Sequence, residues 1–193
     1  MAFESEGRRL TGTPKNGTPG AVLTASTPEV DRGALWRIEA DLHALALPAP
    51  LNDWMRERGS LTQRLRAHWG DVSVQPLDEG LGTPLAHEAA RAGALAGAPT
   101  WLRCVVLVCQ GKPRVYARTV IPAWGPHNPW EAVQRMGRQP LGELLFQLPD
   151  LQRSAFEWNL GLDWPHATHR PGATAPAPAR RCVFMRAGAP LLL

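Results

Sequence analysis

The stretch WLRCVVLVCQGKPRVYARTVIP, residues 101–122, decides the fold of this chain. It contains two runs rich in β-branched residues, WLRCVVLVC and RVYARTVIP, separated by a short turn with Gly111 at its centre. This pattern is typical of a β-hairpin. Because both runs are apolar at consecutive positions, both faces of each strand are expected to be buried. The hairpin is therefore predicted to lie in the middle of a sheet that is covered on both sides.

Two arginines interrupt the apolar runs of this hairpin. Arg103 shares its strand face with Trp101, Val105 and Leu107, so an always-charged guanidinium points into an apolar layer. A buried charge of this kind is either paired internally, turned outward at the end of its strand, or used to bind an anion. Arg118 repeats the arrangement on the second strand. Two inward-pointing arginines on paired strands predict a site for a carboxylate or dicarboxylate, held through bidentate hydrogen bonds.

Two short helices are predicted upstream of the hairpin. The stretch LNDWMRERG follows Pro50, and SLTQRLRAHWG carries Ser60 with Gln63 three residues later. That spacing is a capping box, and Gly70 predicts the end of the second helix. The next stretch, DVSVQPLDEG, alternates like a strand, whereas the Ala-rich stretch up to Pro99 fits a short helix or a loop equally well.

The region after the hairpin mixes helical and extended patterns. PWEAVQRMG and PLGELLFQL are predicted to be helical, each beginning near a proline, and LQRSAFEWNL fits a strand or a helix. Residues 165–180 are rich in proline and are predicted to form an irregular loop. RCVFMRAGAPLLL predicts two short strands around Gly188, so the chain ends in an apolar strand.

Length and charge limit the classes of function. The chain has 193 residues, enough for one domain with a stable core. Lys and Arg number 21 against 17 for Asp and Glu, but the arginines are scattered, so no nucleic-acid partner is predicted. No apolar run is long enough to span a membrane. Residues 1–30 are predicted to be a disordered leader, which leaves one domain at residues 31–193.

The cysteines and histidines do not predict a disulfide, a metal site or a cofactor. Cys104 and Cys109 are five residues apart on one predicted strand, so they point to opposite faces and cannot pair. A reduced, cytoplasmic protein is the simplest interpretation. His166 and His169 form an H-x-x-H pair without a nearby acidic or cysteine partner, and surface histidines are therefore expected. The sequence contains no phosphate-binding loop and no nucleophile elbow.

Four stretches resemble one family in their order and spacing: DWMRERGSLTQRLRAH, WLRCVVLVCQGKPRVYARTVIP, MGRQPLGELLF and the terminal GAPLLL. The family is the chorismate pyruvate-lyases of bacterial ubiquinone biosynthesis. The resemblance implies an α+β fold, with a single antiparallel sheet of about six strands, helices packed on it and helical flaps over an internal ligand cavity. It also implies elimination of pyruvate from chorismate to give 4-hydroxybenzoate, without a cofactor or a metal.

The same resemblance implies roles for individual residues. Arg103 matches the arginine that binds the ring carboxylate, and the backbones at Leu61 and Leu141 match positions that join this site. Arg118 matches the arginine of the A-R-T-V block, and strand parity predicts that it faces the same cavity. In the family the terminal leucines continue into a Thr-Glu pair, whose glutamate hydrogen-bonds the ring hydroxyl.

The position of that glutamate lies beyond Leu193, so the domain is expected to be truncated and its catalytic residue is unknown. Asp78 and Glu79 lie near a strand end and are conceivable substitutes, but the sequence does not place either of them.

Two functions remain open on the sequence. The first is a monomeric chorismate lyase. The second is a non-catalytic module that binds small anions, because the effector-binding domains of one class of transcription regulators are similar in fold. No helix-turn-helix pattern precedes residue 50, which argues against the regulator.

Overall fold

The computed structural model of the chain describes residues 36–38, 47, 49–162 and 177–193. The helices are α1 (Ala49–Met55), α2 (Leu61–Trp69), α3 (Ala86–Ala92) and α4 (Leu141–Leu145), with a 3₁₀ helix at Glu131–Arg135. The strands are β1 (Arg37–Ile38), β2 (Val72–Leu81), β3 (Trp101–Cys109), β4 (Lys112–Ile121), β5 (Gln152–Arg153), β6 (Glu157–Leu162), β7 (Ala177–Arg181), β8 (Val183–Arg186) and β9 (Ala189–Leu192). The predicted leader at residues 1–30 and the pair His166 and His169 lie outside the described residues.

A six-stranded antiparallel sheet forms the centre of the fold, in the order β2-β3-β4-β9-β8-β5. With the helices packed on it, this sheet confirms the predicted α+β class. A second sheet of three strands, β1-β6-β7, was not predicted. The expectation of an irregular loop up to residue 180 is wrong at its end, because Ala177–Arg181 pair with β6. Pro178 is compatible with this pairing since β7 is an edge strand, where a missing N–H costs no ladder bond.

The predicted hairpin is β3 and β4, and every residue of β3 is buried. Gln110 and Gly111 join the strands with φ angles of 51° and 71°, as a tight turn that follows the twist of the sheet requires. Ser60 caps α2 as predicted, because its hydroxyl accepts a hydrogen bond from the Gln63 amide at 3.3 Å.

Different elements cover the two faces of the sheet. On the face that holds Arg103, α2 packs against Val105 and Leu107, while α4 and the 3₁₀ helix pack near Trp101 and Ile121. The opposite face packs on α3 through a buried apolar cluster, formed by Ala92, Leu102, Val120, Val183 and Leu192. The prediction that the hairpin is covered on both sides is therefore confirmed.

A β-bulge in β4 sets which residues of the hairpin share a face. Near the turn Val108 pairs with Pro113, whereas Leu107 pairs with Val115, so Arg114 is an extra residue. A bulge of one residue reverses the faces of all positions beyond it relative to the partner strand.

As a result of this bulge, Arg103 lies opposite Thr119, and Cys104 lies opposite Arg118. Since paired residues share a face, Arg103 and Arg118 point to opposite sides of the sheet. The strand-parity argument for one shared face therefore fails, although both arginines line the same cavity, and a role of Arg118 in ligand binding stays a prediction.

A second bulge lies in β2, on the other side of β3. Pro76 pairs with Val105 and Asp78 pairs with Cys104, so Leu77 is the extra residue. Glu79 consequently lies opposite Arg103. Of the two acidic residues that the sequence did not place, Glu79 shares the face of Arg103, and Asp78 belongs to the opposite face.

The terminal leucines belong to the central sheet. Leu191 and Leu192 are buried, and Leu192 pairs with Val120 of β4. The backbones of Leu193 and Cys182 exchange two hydrogen bonds, at 2.9 and 3.0 Å. The predicted apolar strand is therefore confirmed. Within the described ranges, no helix combines the length and the apolar character needed to span a bilayer.

Candidate functional site

A cavity of about 670 Å³ lies against the Arg103 face of the hairpin. Its walls are mostly apolar and come mainly from β3, β4, β7 and the helices α1, α2 and α4. The leucines that α2 and α4 contribute are Leu61, Leu65, Leu141 and Leu145. The arginines that line the cavity are Arg103, Arg114, Arg118, Arg153, Arg180 and Arg181. Mostly apolar walls are typical of a small-molecule site, so the charged groups in this cavity determine which ligand it suits.

Arg103 is a deeply buried cation of this cavity, with 1% of its surface exposed. Its Nη2 donates hydrogen bonds to the carbonyl oxygens of Gly137 and Gln139, at 2.8 and 3.1 Å. Its Nε lies 3.4 Å from Glu79 Oε1, as an ion pair in which neither atom has a hydrogen-bond partner. Among the described residues no acceptor bonds to Nη1, so this nitrogen is available to a ligand.

The charge of Arg103 is only partly compensated by its surroundings. Burial lowers the pKa of Arg103, and the nearby Glu79 carboxylate offsets this effect only in part. Burial likewise raises the pKa of Glu79, against the opposing effect of Arg103. Desolvation thus outweighs the attraction between the two groups, so neither charge is fully compensated by the other.

Arg118 has a different environment, on the other side of the sheet. Its Nε donates to Glu88 Oε1 at 2.7 Å, and its Nη1 lies 3.2 Å from the sulfur of Cys104. Burial acts to lower the pKa of Arg118, but the charge and hydrogen bond of Glu88 outweigh it, so the pKa lies above its usual value. Arg118 also borders the cavity, but it is already neutralised. Because its side chain starts from the other face of the hairpin and is paired with Glu88, we expect Glu88, and not a bound carboxylate, to remain its partner.

The first turns of α2 and α4 lie side by side at the cavity wall. A Cβ atom at Gly142 would lie 3.1 Å from Ser60 Oγ, which shows how closely the two helices approach. Their first residues are Leu61 and Leu141, whose amides have no acceptor within their own helices. Gln139, whose carbonyl binds Arg103, lies just before α4. This contact joins the start of α4 to the buried guanidinium.

Nucleophilic chemistry by a cysteine is not favoured in this cavity. Cys182 lines the cavity, but burial raises its pKa to about 11. Burial also raises the pKa values of Cys104 and Cys109, and all three thiols are free. In the described part of the chain, no three His, Cys, Asp or Glu side chains are grouped as a metal site would require.

Comparisons with a family model and with individual relatives identify the same family. The family model described as chorismate lyase matches residues 30–193. A probable chorismate pyruvate-lyase of Hydrogenovibrio crunogenus is 40% identical over 154 residues, covering 79% of this chain and 83% of the relative. Proteins of the same name from Thiobacillus denitrificans and Pseudomonas putida are 36% and 39% identical, covering 83% and 84% of those relatives and 78% and 80% of this chain.

Proposed function

Because this chain belongs to the chorismate lyase family, we propose that it is an enzyme that eliminates pyruvate from chorismate and leaves 4-hydroxybenzoate, the first step of ubiquinone biosynthesis. The observation that carries the proposal is the partly compensated, buried Arg103 in an apolar cavity. Chorismate is a dianion with a six-membered carbon ring, and such a cavity offers a cation to the ring carboxylate and apolar walls to the ring.

Three groups hold the ring carboxylate in this proposal. Arg103 donates from Nη1, and the amides of Leu61 and Leu141 donate from the starts of α2 and α4. Hydrogen bonds to a charged acceptor are stronger than those between neutral groups, so these donors fix the ring in one orientation. The leucine side chains of both helices then exclude water from the ring.

The reaction requires mainly that the enzyme holds the chorismate dianion in one orientation. The carbon–oxygen bond to the enolpyruvyl group breaks, the ring loses a proton and becomes aromatic, and the enol takes up a proton as pyruvate. Aromatisation supplies the driving force, so the enzyme gains most by holding the dianion and stabilising the charge that develops on the departing group. The acid–base group of this step is unassigned among the described residues.

A cytoplasmic, monomeric enzyme is part of the same proposal. All three cysteines are free and buried, which suits a reducing compartment.

The approach of the two helices gives a first prediction. Gly142→Val adds a β-branched side chain where even a Cβ would lie 3.1 Å from Ser60 Oγ. The starts of α2 and α4 must then separate, and at least one of the two amides loses its contact with the carboxylate. We expect the affinity for 4-hydroxybenzoate, measured by isothermal titration calorimetry, to fall by about tenfold. Gly125→Val, at a glycine with open space around its Cβ and outside the cavity lining, is the matched control, and equal affinities in the wild type and Gly142→Val would contradict the proposed amide contacts.

The decisive test of the function is turnover of chorismate. The protein is incubated with chorismate, and 4-hydroxybenzoate and pyruvate are quantified against a reaction without protein. Equimolar formation of both products well above that background is the expected result. Binding of 4-hydroxybenzoate without turnover would favour an anion-binding module, and neither binding nor turnover would contradict the proposed site as well.

A further inference from the structure

The ion pair between Glu79 and Arg103 is buried but contains no hydrogen bond between its closest atoms. The two residues face each other across β2 and β3, and their nearest charged atoms are 3.4 Å apart. Both atoms are buried and both lack a hydrogen-bond partner. A pair that served only stability would close this contact, because buried groups without hydrogen bonds destabilise the fold.

We propose that Glu79 is a positioning residue for the carboxylate site: it holds Arg103 with Nη1 towards the cavity, and it takes up a proton from solvent when a carboxylate binds there. This inference rests on the proposed role of Arg103 in binding a carboxylate. It assigns to Glu79 no contact with the reacting atoms.

The positioning follows from the contacts of the guanidinium. Both hydrogens of Nη2 are used by the carbonyls of Gly137 and Gln139. Glu79 lies on the Nε side and attracts that edge of the group. Because the guanidinium is planar and rigid, fixing these two edges leaves the Nη1 edge for a ligand.

The proton uptake follows from charge. With Glu79 ionised, the Arg103 pair is neutral, and a bound carboxylate would place a second negative charge beside the same buried guanidinium. Two like charges at close range in a desolvated site raise the pKa of the group that is free to titrate. Among the described residues, Arg103 is the charged group that acts on Glu79, since Asp78 belongs to the other face of the sheet.

Carboxylate binding is therefore expected to weaken as the pH rises. Burial raises the pKa of Glu79 even without a ligand, and the ligand raises it further. Glu79 thus has one pKa in the free protein and a higher pKa in the complex. Binding is strongest below the pKa of the free protein and weakens as the pH rises from that value to the pKa of the complex. Within that interval the affinity falls by up to about tenfold per pH unit.

The test is calorimetric titration with 4-hydroxybenzoate from about pH 5 to pH 8, at each pH in two zwitterionic or cationic buffers that buffer there and differ in ionisation enthalpy. The wild type is expected to show a buffer-dependent binding enthalpy, which reports uptake of up to one proton, and an affinity that falls with rising pH. Glu79→Gln is expected to bind without buffer dependence, at an affinity that stays constant over this range. Asp78→Asn removes the neighbouring exposed carboxylate and is expected to behave as the wild type.

Each outcome distinguishes the two proposals. Binding by the wild type without buffer dependence, or proton uptake that persists in Glu79→Gln, would overturn the role of Glu79 and leave the carboxylate site intact. Absence of binding by the wild type would overturn the carboxylate site and, with it, the role of Glu79. Because the measurement on the wild type needs no substitution, a variant that fails to fold does not prevent the test.

Discussion

Arg103→Met is expected to lower the affinity for 4-hydroxybenzoate by about 100-fold or more, because it removes the buried guanidinium proposed to bind the carboxylate. Truncating one partner of a buried, hydrogen-bonded charge pair costs about 2–5 kcal/mol. Methionine fills much of the same volume, so the apolar wall of the cavity is kept. The affinity is measured by calorimetric titration, with circular dichroism as the check on folding.

A second substitution separates charge from geometry at this position. Arg103→Lys keeps a positive charge but cannot satisfy the carbonyls of Gly137 and Gln139 and still present a donor to the ligand. We expect its affinity to lie between those of the wild type and Arg103→Met. An affinity in Arg103→Met equal to that of the wild type would refute the carboxylate assignment.

Arg118→Met is expected to act on stability instead. The side chains of Arg118 and Glu88 are each 8% exposed and lie 2.7 Å apart, so the substitution leaves a buried carboxylate without its closest partner. Breaking a buried ion pair in this way is expected to lower the free energy of unfolding by about 3 kcal/mol or more. Urea unfolding at neutral pH measures the change.

The double variant Arg118→Met with Glu88→Gln is the matched control. It removes both charges together but keeps a side-chain oxygen that can accept the hydrogen bond from the Leu85 amide, so it is expected to recover most of the lost stability. Folded Arg118→Met is expected to bind 4-hydroxybenzoate with nearly the affinity of the wild type. A loss of affinity as large as in Arg103→Met would contradict the placement of Arg118 outside the carboxylate site.

The environment of these two arginines explains why the same residue type has opposite uses on the two faces of the hairpin. Glu88 contacts Arg118 through a well-formed hydrogen bond, and the charge is satisfied within the fold. Glu79 Oε1 lies 3.4 Å from Arg103 Nε, but the two atoms do not form a hydrogen bond. We therefore expect Arg118 to contribute to stability and Arg103 to bind an anion, as proposed above.

The sequence by itself determined the elements that local patterns control. Consecutive β-branched residues gave the hairpin and its burial on both faces. The spacing of Ser60 and Gln63 fixed the start of α2, because a cap depends on neighbouring residues only. The burial of Arg103 also followed from its apolar neighbours on the same strand face. Its function as a ligand for carboxylate stays a prediction.

Only the tertiary structure decided which charged residues meet. The extra residues of the two bulges, Leu77 and Arg114, resemble ordinary strand residues in the sequence. Each bulge is fixed by pairing with another strand, and because side chains in a strand alternate with a period of two, one extra residue transfers every later side chain to the other face. The bulge at Leu77 places Glu79 opposite Arg103, and the bulge at Arg114 places Arg118 on the opposite face of the hairpin.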